Sequence, residues 1–283
     1  MSDLHNFAVQ AFADTPLVSV ADIEESNAPA YEGPLKRDLV AGLEKGLAVI
    51  EAFDQERPRL TISEVATLTG LTRAAARRYL LTLTHLGFVT QDRKMFSLTP
   101  RVLRLGQSYL HSARLPRIVE QELQKLAFGL KESSAAGILD GSDVICIAAA
   151  ATSRVISLPM QPGMRVPAFC SGNGRVLLAG MAPAAFEGWL SQQRMTARTP
   201  HTITDPARLR LEISRARSLG YACIDQEIES GLRTVAVPLK NYRGDVVAAL
   251  NVCVHASRMS MGEMVAQCLP ALQQAQAHLR MLL

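Results

Sequence analysis

Residues 72–81 read Thr72-Arg73-Ala74-Ala75-Ala76-Arg77-Arg78-Tyr79-Leu80-Leu81, a short helical stretch that carries three arginines. It follows a tight turn at Thr69-Gly70-Leu71, where glycine can supply a positive φ. The segment before that turn, Thr61–Leu68, has the apolar spacing of another short helix. Two short helices joined by a glycine-bearing turn, the second with a basic N-terminal end, are typical of a helix-turn-helix. The pattern predicts DNA binding, and the alternative is an ordinary helical hairpin with a solvated basic face.

The flanking segments extend this pattern to a winged helix-turn-helix domain over residues 39–99. Phe88–Gln91 and Met95–Leu98 are β-prone runs around a charged centre, which predicts a hairpin, or wing. Ahead of the helix pair, Leu43, Leu47 and Ile50 recur at helical spacing, with Val49 and Phe53 widening the stripe. We expect Thr72, Arg73 and Arg77 of the second helix to contact base edges. Arg78 of that helix, with Arg93 and Lys94 of the wing, is expected to contact phosphates. The predicted DNA-contacting residues are Thr72, Arg73, Ala74, Arg77, Arg78, Arg93 and Lys94.

The distribution of charge along the chain supports a DNA-binding domain at residues 39–99 better than the net charge of the whole chain does. The 283 residues have a net charge of only +4, with 48% hydrophobic and 20% charged residues, the composition of a folded protein with room for two domains. Residues 39–106 carry ten basic against six acidic side chains. Residues 1–38 carry seven acidic against two basic side chains, three prolines and no periodicity. We therefore expect residues 1–38 to be a disordered acidic extension rather than a signal peptide.

Cysteine usage and hydropathy exclude several classes of protein. The five cysteines are widely spaced and form no CxxC pair, which indicates reduced thiols and neither a zinc site nor a disulfide framework. No cofactor-binding fingerprint is complete: Gly172-Asn173-Gly174 lacks its third glycine, and no GxxxxGK[ST] motif occurs. No run of about eighteen apolar residues is present, so no membrane span is expected. We expect a cytoplasmic protein without metal or cofactor.

The second half of the chain has the pattern of an α+β domain. A helix is predicted at 99–114, a linker or a dimer contact, and Leu115-Pro116 is expected to end it before a second helix at Ile118–Lys131. The predicted domains are thus 39–99, a linker helix at 100–115, and 116–283. In the domain predicted at 116–283, Asp140-Gly141 within 140–143 indicates a β-hairpin. Further strands are predicted at 154–158, 221–227, 234–239 and 246–254. Helices are predicted at 174–181, 183–193, 206–219 and 262–282, which together indicate an antiparallel sheet with flanking helices.

Several segments resemble those of the IclR family of bacterial transcriptional regulators, over about residues 39–283. The most specific of them are 46–53, 71–80, 98–106, Ser171–Ala179 and Asp225–Arg233. The recognition-helix sequence is most similar to the PcaR/PcaU/PobR branch. The resemblance implies a winged helix-turn-helix joined to a GAF-like effector-binding domain, assembled as a homodimer or a dimer of dimers on double-stranded operator DNA. It further implies control of catabolic genes in response to protocatechuate, 4-hydroxybenzoate, β-ketoadipate or a related acid.

By the same resemblance, the effector pocket lies between the sheet and the loop before the 174–181 helix. Amides at a helix N-terminus suit a small anionic acid, since the helix dipole favours negative charge there. For Ser171 the alternative is a simple helix cap, and for Asn251 and Cys253 two core positions on one strand face. The family pattern differs at Asn173, which replaces a small residue, and at Pro159–Pro162. The predicted effector-binding residues are Ser171, Gly172, Asn173, Asp225, Thr234, Asn251 and Cys253.

Two other functions stay open at this stage. Cys170, next to a helix N-terminus, could have a lowered pKa and act as a nucleophile with His255 or Asp225 as its partner, although no local motif supports such a pair. Alternatively, the second domain only dimerises and holds two DNA-binding domains apart. A dimer predicts operator half-sites about 34–36 Å apart, or a multiple of that spacing.

Overall fold

A computed structural model describes residues 36–54, 56–152 and 160–283. The expected extension at 1–38 therefore falls almost wholly outside the described residues, as does the strand expected at 154–158. The chain divides into two compact units, of which the second begins at Ala113. No helix in the described part of the chain is both long and apolar enough to cross a bilayer.

The first unit is a small helical domain with a three-stranded sheet. Its elements are α1 (Ala41–Glu51), β1 (Leu60–Thr61), α2 (Ile62–Thr69), α3 (Arg73–His85), β2 (Val89–Asp92), β3 (Met95–Leu98) and α4 (Leu103–Ser112). The strand order is β1-β3-β2, antiparallel throughout. Its core contains Val49 of α1, Phe53 just after that helix, Val65 of α2, Leu80 of α3 and Phe96 of β3. This is the expected winged helix-turn-helix.

The apolar stripe of α1 is only partly used in this core. Val49 is fully buried, whereas Leu43 and Leu47 are 64% and 46% exposed. On α4, Leu103, Leu105 and Tyr109 are exposed as well. Leu43 and Leu47, which belong to the helical stripe read from the sequence, therefore do not pack into this core, in which Val49 is the buried residue of α1.

The second unit is a six-stranded antiparallel sheet with helices on both faces. It consists of α5 (Arg114–Leu130), β4 (Ser133–Asp140), β5 (Asp143–Ala150), β6 (Arg165–Pro167), α6 (Gly172–Gly180), α7 (Pro183–Ser191), α8 (Pro206–Leu219), β7 (Ala222–Asp225), β8 (Leu232–Lys240), β9 (Val246–His255) and α9 (Met261–Arg280). The strand order is β6-β5-β4-β9-β8-β7. Side chains of α5 and α9 cover one face, and α6, α7 and α8 supply the core on the other.

The helix break between the units lies earlier than expected. Pro116 does not end a helix but occupies the first turn of α5, where a residue without an N–H is tolerated because that N–H would have no acceptor in the helix. The interruption falls instead at Ala113, whose backbone is extended. α6 also starts two residues before the expected Gly174, and β6 had not been anticipated.

Candidate functional site

Helix α3 is held in place by caps at the preceding turn. Thr61 and Glu64 form a reciprocal capping box at the start of α2, and Gly70 ends that helix with φ 67°. Thr72 then caps α3, because its Oγ1 accepts a hydrogen bond from the Ala75 N–H at 3.2 Å. Ala76 and Leu80 are fully buried against the core. The sequence thus fixes which side of α3 faces outward.

The outward side of α3 carries the predicted DNA-contacting residues. Arg73 and Arg77 lie one turn apart, and Arg78 lies about 100° further round the helix than Arg77. These three arginines, Thr72 and Ala74 are all exposed. None of the three guanidiniums forms an ion pair with an acid in the described part of the chain, whereas Arg57 and Arg59 in the same unit are paired with Asp54 and Asp92. The arginines of α3 are therefore available to an external anion.

The wing presents two further cations at its tip. Strands β2 and β3 pair from Val89↔Leu98 to Asp92↔Met95, so Arg93 and Lys94 form the connecting turn, and both are exposed. Arg93 has φ 55°, a left-handed conformation that costs a non-glycine residue roughly 1–2 kcal/mol. The Gln91 side-chain amide donates to the Arg93 carbonyl at 2.8 Å and supports that turn. Arg93 is thus a charged residue at a position where the backbone conformation favours glycine.

This geometry makes Arg93→Gly an informative substitution. Glycine tolerates the left-handed backbone, so the free energy of unfolding should stay unchanged or rise by up to about 1 kcal/mol. If Arg93 contacts a phosphate, affinity for DNA should fall and the slope of log K against log salt should become shallower by about 1. Chemical denaturation and DNA titrations at several salt concentrations measure both quantities. A less stable variant with unchanged DNA affinity would show that Arg93 serves the fold only.

A second set of polar residues lies on the sheet face beneath the N-terminus of α6. Ser171 caps this helix, its Oγ accepting from the Gly174 N–H at 3.1 Å. Gly172 fits closely over β8, where an added Cβ would lie 2.7 Å from Thr234 Cγ2. Thr234 and Cys253 are opposite each other on β8 and β9, with Oγ1 and Sγ 3.6 Å apart. The structure therefore brings Gly172 and Thr234 into contact and places Cys253 beside them.

Asn173 and Asn251 belong to the same face. Asn251 Oδ1 accepts from the Ala135 N–H at 3.1 Å, which leaves its Nδ2 as a donor. The Nδ2 of Asn173 lies 3.3 Å from the position of a Cβ on Gly137, so the Asn173 side chain covers β4 at that glycine. Both asparagines are at least 93% buried. Ser171, Gly172, Asn173, Thr234, Asn251 and Cys253 thus gather where the sequence had placed them, although Ser171 is also a helix cap.

Asp225 does not join this group. Side chains alternate along β7, and Asp225 falls on the same side as Cys223, which packs against the core formed with α5 and α9. Its carboxylate is paired with Arg233 at 2.8 Å. The Arg233 guanidinium holds the pKa of Asp225 below its usual value. The expected role of Asp225 in the pocket is therefore wrong, because the alternation of the strand sends its side chain to the other face of the sheet.

The sequence reasoning missed a buried ion pair beside this site. Arg175, 1% exposed, donates through Nη2 to Glu227 at 2.8 and 3.1 Å and through Nε to the Phe169 carbonyl at 2.7 Å. Glu227 also accepts from the Ile203 N–H at 3.1 Å. Burial lowers the pKa of Arg175 and raises that of Glu227, while their mutual attraction opposes both shifts. The signal in the sequence was a single arginine directly before the apolar run Val176-Leu177-Leu178.

Cys170 lacks the properties of a nucleophile. Its side chain is fully buried, and desolvation with the nearby Glu227 carboxylate raises the pKa of the thiol to about 12. Of its suggested partners, His255 bonds to Ser257 at 2.7 Å and Asp225 is paired with Arg233. The expectation of a lowered pKa is wrong, because burial outweighs the helix N-terminus. Among the described residues, no cluster of three or more His, Cys, Asp and Glu side chains is placed to hold a metal ion.

Comparison with known sequences identifies the family. The IclR helix-turn-helix domain matches residues 42–93, and the C-terminal domain of the bacterial transcriptional regulator IclR matches residues 107–280. The chain belongs to the IclR family of bacterial transcriptional regulators. The second match alone covers more than half of the chain and contains all of the residues beneath the α6 N-terminus described above.

Three relatives give this membership more detail. The Pca regulon regulatory protein of Pseudomonas putida is 39% identical over 253 residues, which are 86% of this chain and 87% of that protein. The p-hydroxybenzoate hydroxylase transcriptional activator of Acinetobacter baylyi is 36% identical over 248 residues, 86% of this chain and 92% of the activator. A solved structure of a double mutant of the PobR inducer-binding domain from Acinetobacter, in complex with 3-hydroxybenzoic acid, is 28% identical. It has a TM-score of 0.58 and covers 60% of this chain and all of that domain.

Proposed function

We propose that this IclR-family regulator binds operator DNA through α3 and its wing, and that its second unit binds a small aromatic acid that controls catabolic genes of the protocatechuate and 4-hydroxybenzoate type. The observation that carries the DNA-binding part is the exposure of Arg73, Arg77 and Arg78 without acidic partners in the described chain. Unpaired arginines on a helix whose N-terminus is capped can contact base edges in the major groove of DNA. The relatives named above regulate pca genes or p-hydroxybenzoate hydroxylase, which supports the choice of pathway.

The proposed roles of the individual residues follow from this geometry. Arg73 and Arg77, one turn apart, would read base edges. Arg78, Arg93 and Lys94 would contact phosphates and set the register. Thr72 caps α3 and retains a hydroxyl hydrogen to donate, and Ala74 lets the helix approach the groove closely. The six residues gathered at the N-terminus of α6 and on the sheet below it would line the acid site.

We further propose that the protein acts as a homodimer or a dimer of dimers in the cytoplasm. Exposed apolar side chains on α1 and α4 of the first unit, such as Leu43 and Leu103, suit a contact with a second copy. Two reading helices in a dimer would match repeated half-sites. The alternative, a second unit that only dimerises, is less well supported because buried polar groups converge beneath α6. The proposal assigns no catalytic reaction to the chain.

Thermal melting in the presence of aromatic acids tests the acid site. A ligand that binds only the folded state stabilises it by mass action, by about 2.7 kcal/mol at a concentration 100 times its Kd. We therefore expect 4-hydroxybenzoate or protocatechuate to raise the melting temperature of the second unit by several degrees, with succinate as the control acid. Melting curves that no aromatic acid shifts would favour a second unit that only dimerises.

A further inference from the structure

One buried atom beneath α6 lacks a partner. Asn173 is 3% exposed, yet its Oδ1 has no hydrogen-bond partner among the described residues. A buried carbonyl without a donor costs roughly 1–3 kcal/mol, so proteins seldom leave one unless a ligand or water completes it. The atom is placed at the second residue of α6, whose first N–H groups have no acceptor within the helix. The N-terminal end of α6 therefore carries an unpaired side-chain acceptor, next to N–H groups of which Ser171 caps one, that of Gly174.

The sheet below supplies a donor on the same face as that acceptor. Asn173 lies over Gly137, which pairs with Ala249 on β9, and Asn251 is two residues further along the same face. Such diagonal neighbours on adjacent strands are about 7–8 Å apart. Asn251 presents Nδ2, because its Oδ1 is bonded to the Ala135 N–H. An unpaired acceptor, Asn173 Oδ1, and a donor, Asn251 Nδ2, thus belong to the same face of the sheet.

We infer that Asn173 is a specificity-determining residue that accepts a hydrogen bond from a hydroxyl group on the effector. This inference rests on the proposed function. An ionised carboxylate is an acceptor only, so it cannot complete Asn173 Oδ1. A phenolic hydroxyl keeps its proton near neutral pH and supplies the missing donor. Of the acids that the sequence left open, protocatechuate and 4-hydroxybenzoate carry such a donor, whereas β-ketoadipate has no hydroxyl.

A small apolar residue at position 173 would leave no unpaired side-chain carbonyl here. In the free protein Asn173 lowers stability, and in the complex the same carbonyl gains a partner. The expected consequence is that an acid without the hydroxyl leaves Asn173 Oδ1 unpaired and binds more weakly, by about 10- to 100-fold.

Isothermal titration calorimetry of the full chain with matched acids tests this inference. For the wild type, we expect the Kd of benzoate to exceed that of 4-hydroxybenzoate or 3-hydroxybenzoate by about 10- to 100-fold. Asn173→Ala should bring that ratio close to 1. The same variant, without ligand, should unfold at an equal or higher temperature, because it removes an unsatisfied buried carbonyl. A residue with a merely structural role would give a less stable protein instead.

A second variant on the same face provides the matched control. Thr234→Val removes a buried hydroxyl beside Cys253 but keeps the Asn173 carbonyl, so it should change the affinities for benzoate and hydroxybenzoate by similar factors. Equal wild-type affinities for the two acids would overturn the inference and leave the proposed function standing. So would a ratio that Thr234→Val abolishes and Asn173→Ala preserves. If no aromatic acid binds the wild type, the proposed function fails and this inference fails with it.

Discussion

Replacing Arg175 by methionine should lower the free energy of unfolding of the second unit by about 3–5 kcal/mol, the largest effect that we expect from a single substitution. Methionine keeps only the apolar stem of arginine. It leaves the Glu227 carboxylate buried with the Ile203 N–H as its one remaining direct donor among the described residues. The Phe169 carbonyl also loses its partner, the Arg175 Nε–H. Urea or guanidinium unfolding, followed by far-ultraviolet circular dichroism, measures the loss.

The control for this prediction removes both charges. Arg175→Met combined with Glu227→Leu leaves no uncompensated carboxylate at this site, so it should recover a large part of the lost stability. Arg210→Met, in contrast, breaks the exposed pair with Glu187 and should cost no more than about 1 kcal/mol. If Arg175→Met were as mild as Arg210→Met, the pair would not be holding α6 to the loops around Glu227 and Ile203.

The positions of α3 and the wing could be predicted from the sequence because the signals there are local. A glycine turn, a threonine cap and a two-residue hairpin each act within a few residues. The exact ends of the helices could not be predicted in the same way. Pro116 was expected to end a helix, whereas it occupies the first turn of α5. Which apolar residues of α1 are buried depends on the other helices, so Leu43 and Val49 could not be distinguished from the sequence alone.

The effector site was predictable only in part, for a comparable reason. Ser171, Gly172 and Asn173 are consecutive, and Asn251 and Cys253 alternate on one strand, so each set follows from local geometry. That the two sets meet was implied only by the family resemblance. Asp225 was wrongly included in the pocket because the face to which its side chain points depends on how β7 pairs with β8, where Asp225 lies opposite Arg233. Arg175 and Glu227 are 52 residues apart. Their pairing depends on tertiary contacts that no spacing in the sequence reveals.

Arg77→Ala should reduce discrimination between operator sequences by about 1–3 kcal/mol, or roughly 10- to 100-fold at the base pair that Arg77 contacts. Arg73→Ala should do the same at a neighbouring base pair, because the two side chains lie one turn apart on α3. Lys94→Ala removes a wing cation instead, so it should weaken binding to all sequences alike and make the salt slope shallower by about 1. Arg117→Ala, which removes one exposed charge from α5, is the matched control.

Selection of binding sites from random double-stranded DNA by the wild type, Arg77→Ala and Arg117→Ala tests the DNA-reading role of α3 most directly. We predict that the wild type and Arg117→Ala select the same repeated half-sites, and that Arg77→Ala loses its preference at one position of each half-site while keeping the others. Identical preferences in all three proteins, or no preference in the wild type, would contradict the account.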